Sequence, residues 1–91
     1  MILKIFTQTC CPNCPPAKVL GKKLTESAEV KEGKLKLEWY DTAEVEGMAE
    51  AAFYQVMATP TLLLVDEKGK LVGEWRGQAP KMAEVLEKLK K

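Results

Sequence analysis

The spacing of apolar residues changes from segment to segment along this chain, and the order of those changes constrains its fold most. Ile2 to Thr7 is a short apolar run with β-branched and aromatic members, which suits a buried strand. From Ala17 the period becomes helical. Ala17, Leu20, Gly21 and Leu24 fall at i, i+3, i+4 and i+7, with Lys18, Lys22, Lys23 and Glu26 opposite. This helix fades near Val30, and Glu32-Gly33-Lys34 reads as a turn. Leu35, Leu37 and Trp39 alternate with Lys36, Glu38 and Tyr40, the period of a strand. Asp41-Thr42 reads as a second helix start, with Thr42 as N-cap and Glu44 and Glu46 at the positive end of the dipole. Val45, Met48, Ala49, Ala52, Phe53 and Val56 follow at helical spacing.

Ala58-Thr59-Pro60 breaks that helix, and Thr61 to Val65 is a continuous apolar run, the mark of a central strand. Asp66 to Gly69 reads as a turn into a strand from Lys70 to Trp75, making a hairpin. A last helix is expected with Pro80 near its first position and Met82, Val85, Leu86 and Leu89 as its stripe. The order β-α-β-α-β-β-α predicts an α/β fold. A right-handed crossover makes the first two strands parallel, and the hairpin strands are antiparallel. A four-stranded mixed sheet flanked by three helices follows. At this length residues 1–91 are expected to form a single domain.

Composition excludes several chemistries. The 91 residues contain no histidine, so a Ser-His-Asp triad, a Cys-His pair and a His-ligated zinc are absent. The 14 Lys+Arg and 13 Asp+Glu leave a net charge of 14 − 13 = +1, without a basic block, which argues against nucleic-acid binding. No 18-residue apolar run exists, and the opening run ends at Thr7-Gln8-Thr9, too short for a secretory segment. A cytoplasmic chain that does not engage membranes is expected.

The three cysteines, Cys10, Cys11 and Cys14, lie within five positions. They cannot staple distant parts of the fold, and in a reducing compartment such a cluster points to catalysis or metal binding. Cys11-Pro12-Asn13-Cys14 falls between the first strand and the first helix. If both cysteines share that helix's first turn, their Cβ atoms stand about 5–6 Å apart. A disulfide can then open and close with little adjustment. The helix start favours a thiolate, so Cys11, the more exposed, is expected to be the nucleophile with a pKa below about 8.5. Cys14, one turn inside, would resolve the mixed disulfide. Pro15-Pro16 lack N–H groups, so regular hydrogen bonding is expected to begin near Ala17. Cys10 is either a small apolar residue on the rim or a second thiol that modulates Cys11.

Two other classes compete. One is a metal or iron–sulfur handling protein using Cys10, Cys11 and Cys14, although a structural zinc needs four ligands and the chain offers three thiols. Metal and cofactor are therefore expected to be absent. The other is a non-catalytic adaptor, which needs no pair of cysteines.

Phe6-Thr7 followed by Cys11-Pro12-Asn13-Cys14, Ala58-Thr59-Pro60-Thr61-Leu62 opening the third strand, and Gly77 after the fourth resemble the thioredoxin/glutaredoxin superfamily. The chain is most similar to its short glutaredoxin-like thioredoxins. The resemblance implies the thioredoxin fold and a thiol–disulfide oxidoreductase that reduces protein disulfides through Cys11 and Cys14. It implies that Pro60 is the family's cis-proline and that the Thr59 backbone takes an extended substrate as one added strand. Pro12, Asn13 and Gly77 would complete the substrate surface. Ile5 stands where many thioredoxins carry a buried aspartate, and Cys10 where many carry tryptophan. Gln8 and Gly77-Gln78-Ala79-Pro80 stand where glutaredoxins hold glutathione. The expected partners are therefore disulfide-containing proteins and a thioredoxin-reductase type of donor rather than glutathione, acting on a monomer. The substrate surface carries no charge of its own, so association is expected to vary little with salt, with Lys81 and Arg76 the nearest cations to Gly77.

Overall fold

The computed structural model describes residues 1–8 and 14–89. Its strands are β1 (Ile2–Thr7), β2 (Lys36–Asp41), β3 (Thr61–Val65) and β4 (Leu71–Arg76). They form one sheet in the order β2-β1-β3-β4. β1 is parallel to β2 and antiparallel to β3, and β3 is antiparallel to β4, so the sheet is mixed as the periodicities predict.

The helices are α1 (Pro15–Thr25), α2 (Ala28–Lys31), α3 (Val45–Phe53) and α4 (Met82–Leu89). Four are found among the described residues where the pattern predicts three. Ser27 causes the difference: it takes an extended conformation, and its hydroxyl caps the start of α2 by accepting from the Val30 N–H. Such a cap competes with continuation of the preceding helix. At α4, Pro80 lies two residues ahead of the helix instead of at its first position. The start is organised by Glu84, whose carboxylate accepts from the Lys81 N–H at 2.8 Å.

Alternation along the strands divides the core. Leu3, Ile5, Leu62 and Leu64 face α1 and α4, packing with Leu20, Leu24 and Val85, all buried. Phe6 and Leu63 face the other way, under Ala51 of α3, and Phe6 stacks on Tyr40 with ring centroids 5.2 Å apart. β3 is central and every residue in it is buried, which is why it lacks alternation in sequence.

Lys4 lies on the α3 face beside Phe6. Its ammonium sits 3.4 Å from both Glu38 and Glu50, over the rings of Tyr40 and Tyr54. Burial acts against this charge, but Glu50 together with Tyr40, Tyr54 and Glu38 outweighs it and raises the Lys4 pKa. The Tyr40 hydroxyl donates to Glu38 at 2.8 Å and lowers that carboxyl's pKa. One strand residue thus ties β2 and α3 to β1.

The second predicted helix is corrected in both start and facing. Its N-cap is Glu44 and not Thr42. β2 runs on through Asp41, whose carboxylate accepts from Ala43 N and whose carbonyl accepts from Glu44 N, so Thr42 is held in a turn. The inward residues are Gly47 and Ala51. A Cβ at Gly47 would overlap the Asp41 carbonyl, so glycine lets α3 lie directly on the end of β2. The larger apolar residues consequently turn outward: Val45 is 77% exposed, Met48 51% and Phe53 77%.

The β3–β4 turn is organised by Asp66, whose carboxylate accepts from Lys68 N and Lys70 N, each at 2.9 Å. The Lys70 N–H, with a smaller share from Lys68, lowers the Asp66 pKa from 3.8. A depressed folded-state pKa gives stability that is present above the unfolded value and lost as pH falls through the folded one. Urea unfolding below pH 4 is therefore expected to show a fall in midpoint that Asp66→Ala removes, along with a lower midpoint for the variant at pH 7. An identical pH profile for both proteins would show that the turn contributes nothing.

Candidate functional site

Several loops converge at one end of the sheet. β1 and β2 are parallel, so Thr7 and Asp41 end side by side, and Thr42 N donates to the Thr7 carbonyl at 2.9 Å. β3 begins and β4 ends at the same level, with Phe6 paired to Thr61 and Thr61 to Arg76. Residues after β1, residues before β3 and Gly77 therefore open on one edge. This is the carboxyl end of the parallel strands, the side on which open α/β sheets hold ligands.

Cys14 stands at the head of α1, 1% exposed and disulfide-bonded. Cys10, Cys11, Pro12 and Asn13 lie outside the described residues. Cys14 is the N-cap, with φ −81° and ψ −25°, and Pro15 and Pro16 occupy the first two helical positions. The expectation that Cys14 lies one turn inside the helix is corrected: Cys14 is the N-cap and α1 begins at Pro15. The prolines fit there because the first turn's N–H groups have no intrahelical acceptor. Hydrogen bonding starts where predicted, with Ala17 N and Lys18 N both donating to the Cys14 carbonyl at 2.9 and 3.1 Å. With no N–H on Pro15 or Pro16, this helix end acts on a nearby anion through its aligned peptide dipoles.

The Thr59–Pro60 peptide is cis and Pro60 is buried. The Thr61 hydroxyl donates to the Ala58 carbonyl at 2.7 Å, closing the turn that leads into β3. Gly77 has φ +78°, and a Cβ there would come within 3.9 Å of the Ala58 Cβ. The structure thus brings Thr59, Pro60 and Gly77 to one locality. Ile5 is fully buried on the α1 face, so no carboxylate lies at that point of β1.

Arg76 is not a cation facing Gly77's surface. Its guanidinium donates to the carbonyls of Tyr54 and Gln55, each at 3.1 Å, and pairs with Glu74 at 3.2 Å. It caps the C-terminal end of α3 and so holds the segment that leads to Pro60. No sequence signal marks this, because Arg76 and Tyr54 are 22 residues apart.

No sequence motif marks a groove of about 570 Å³ at this end, lined among the described residues by Gln8, Thr42, Met48, Ala51, Ala52 and the 56–59 segment. A hint existed in the sequence: the apolar residues of 45–56 are spread too widely around a helix to share one buried face.

The sheet order, a disulfide-bonded cysteine at the head of the first helix and a cis-proline opening β3 together define the class of thioredoxin-fold proteins. A family model described as "Thioredoxin domain" matches residues 1–90, and the chain belongs to that family. No curated protein matches it significantly. Among solved structures, thioredoxin 1 from Thermosipho africanus is 19% identical, with a TM-score of 0.70, covering 99% of this chain and 91% of the other. A thioredoxin from Thermus thermophilus is 26% identical, with a TM-score of 0.64, covering 98% of this chain and 70% of the other. A reduced Schistosoma mansoni thioredoxin pre-protein is 25% identical, with a TM-score of 0.74, covering 98% and 75%. This fold is that of thiol–disulfide oxidoreductases in general. No helix among the described residues is long and apolar enough to cross a membrane.

Proposed function

We propose that this chain is a dithiol–disulfide carrier that reduces disulfides in other proteins through Cys11 and Cys14. The observation that supports this most is Cys14, buried and disulfide-bonded at the head of α1, on the sheet edge where the cis Thr59–Pro60 turn also opens. The Cys11 thiolate attacks one sulfur of the substrate disulfide. The substrate's S–S bond breaks, a Cys11–substrate bond forms, and the departing thiolate takes up a proton. The Cys14 thiolate then attacks Cys11, forming the Cys11–Cys14 bond and releasing the second substrate thiolate, which is also protonated. Two electrons and two protons pass from the dithiol to the substrate.

Thr59 offers backbone groups to an extended substrate, with Pro12, Asn13 and Gly77 around it. An external dithiol reductase restores the reduced state, in a cytoplasmic setting where thiols stay reduced. The test is catalytic reduction of a protein disulfide coupled either to a thioredoxin reductase with NADPH or to glutathione with its reductase. Turnover is expected with the first system and is expected to be at least tenfold slower with the second. Equal turnover with glutathione would overturn the choice of donor, and no turnover with either would overturn the proposal.

A further inference from the structure

We propose that β2 is the interface of a symmetric dimer, in which the outer edge of this strand pairs antiparallel with the same edge of a second copy. The family resemblance implies a monomer, and the inference stands independently of the dithiol reading. β2 ends the sheet order among the described residues, with β1 on one side of it only. Lys36 N donates to the Met1 carbonyl and Thr42 N to the Thr7 carbonyl, each at 2.9 Å. Even-numbered positions of β2 thus bond to β1, and alternation turns the N–H and C=O groups of Leu37 and Trp39 outward. Charge, proline or a bulge usually blunts such an edge. Here its α1 side carries the apolar series Leu35, Leu37 and Trp39. The Trp39 ring lies across Gly21 of α1, where any Cβ would overlap it, and Trp39 is still 46% exposed. Beside it a hollow of about 470 Å³ runs past Val30, Leu35 and Leu37.

A second copy fits this edge because the edge is complementary to itself. Opposite residues of an antiparallel pair share a face, so the two-fold axis must pass through a residue. With the axis at Glu38, Leu37 lies opposite the partner's Trp39, and Trp39 opposite the partner's Leu37. Both residues face outward, so each of these two pairs exchanges both N–H···O bonds, and each leucine covers the other copy's indole. On the α3 side Lys36 meets the partner's Tyr40 and lies diagonal to the partner's Glu38. The two Glu38 carboxylates approach at the axis, but each is already paired with Lys4 at 3.4 Å and accepts from the Tyr40 hydroxyl at 2.8 Å. An axis at Trp39 would instead call on the Asp41 carbonyl, which Glu44 N already occupies. The helices leave room. α1 packs over β1 and β3, and the two β1 strands would stand three strand spacings, about 14 Å, apart, against a helix width of about 10 Å. The partner runs the opposite way, so the two cis-proline ends stand at opposite poles of the joined sheet and stay free.

The contact is one strand wide, below the roughly 1,600 Å² of a standard interface, so a weak, concentration-dependent dimer is expected. The test is sedimentation velocity of the full chain, kept reduced so that no intermolecular disulfide forms. Monomer is expected at low micromolar concentration and dimer as concentration rises. Trp39→Lys, which puts a charge into the apolar pair, is expected to raise the dissociation constant at least about tenfold and to keep the wild-type rate of disulfide reduction. Leu37→Pro, which removes an outward N–H and no bond to β1, is expected to weaken the dimer as much. Leu71→Lys, on the other edge strand, and Phe53→Ser, on the outer side of α3, are expected to leave it unchanged.

Amide hydrogen exchange in the wild type gives a readout that a merely structural role of Trp39 would not move. The Leu37 and Trp39 amides are expected to exchange about tenfold more slowly at high than at low concentration, and the Lys36 amide, already bonded to Met1, to change little. This measurement decides even where a variant fails to fold. A chain that stays monomeric throughout overturns the proposal. So does a dimer whose Leu37 and Trp39 amides exchange alike at both concentrations. A dimer dissolved by Leu71→Lys or Phe53→Ser would belong to β4 or α3 and overturns it as well.

Discussion

Cys11→Ser is expected to lower the rate of protein disulfide reduction at least about a thousandfold, to the uncatalysed background. A serine hydroxyl stays protonated at neutral pH, and the neighbouring Cys14 is 1% exposed and cannot substitute for it. Cys14→Ser is expected to fail differently. Its Cys11 still attacks, but nothing resolves the adduct, so each chain is expected to retain one substrate through a disulfide, seen by mass spectrometry without added thiols. The buried hydroxyl costs about 1–3 kcal/mol if unpaired, so circular dichroism of the variant checks that the fold survives. Cys14→Ser turning over at the wild-type rate would overturn the dithiol mechanism. The pair of results also separates this mechanism from the two other classes. A metal carrier would lose binding with either variant and trap no substrate, and an adaptor would be indifferent to both.

Gly47→Ala is expected to be the most damaging change outside the cysteine motif. Two effects oppose each other. Alanine favours an exposed helix interior over glycine by about 1 kcal/mol. Against that, the new Cβ would overlap the Asp41 carbonyl, and a backbone atom cannot rotate away as a side chain can. Overpacking of this kind costs about 1–3 kcal/mol and more where backbone must shift. The clash wins, and a net loss of about 2 kcal/mol lowers the melting temperature of a domain this size by on the order of 10 °C. Because α3 carries Met48 and leads to the Thr59–Pro60 turn, the displaced helix also disturbs the groove. A control at Ala49, exposed on the same helix, isolates propensity: Ala49→Gly is expected to cost only about 1 kcal/mol. Equal or higher stability of Gly47→Ala would show that α3 does not rest on β2 through this contact.

Local signals in the sequence determined the strands. β3 matched residue for residue, because a run as apolar as Thr61–Val65 flanked by Pro60 and Asp66 has one sensible burial, in the middle of a sheet. β1 and the Asp66–Gly69 turn were equally legible, since neighbours within a few residues decide them. The locality of Thr59, Pro60 and Gly77 was legible only through resemblance to a family. Tertiary structure alone decided how α3 faces. Periodicity shows which residues of a helix share a side, but not which side meets the sheet, and here Gly47 and Ala51 won that place from Val45, Met48 and Phe53. The cause is distance: α3 crosses the end of β2 too closely for a large side chain, and Lys4 with Glu38 and Glu50 fixes it there. The same limit hid the role of Arg76, which acts on carbonyls 21 and 22 residues away. Sequence reports a residue's own preferences. Which of them is satisfied depends on how closely distant backbones approach, and that is set only when sheet and helix pack.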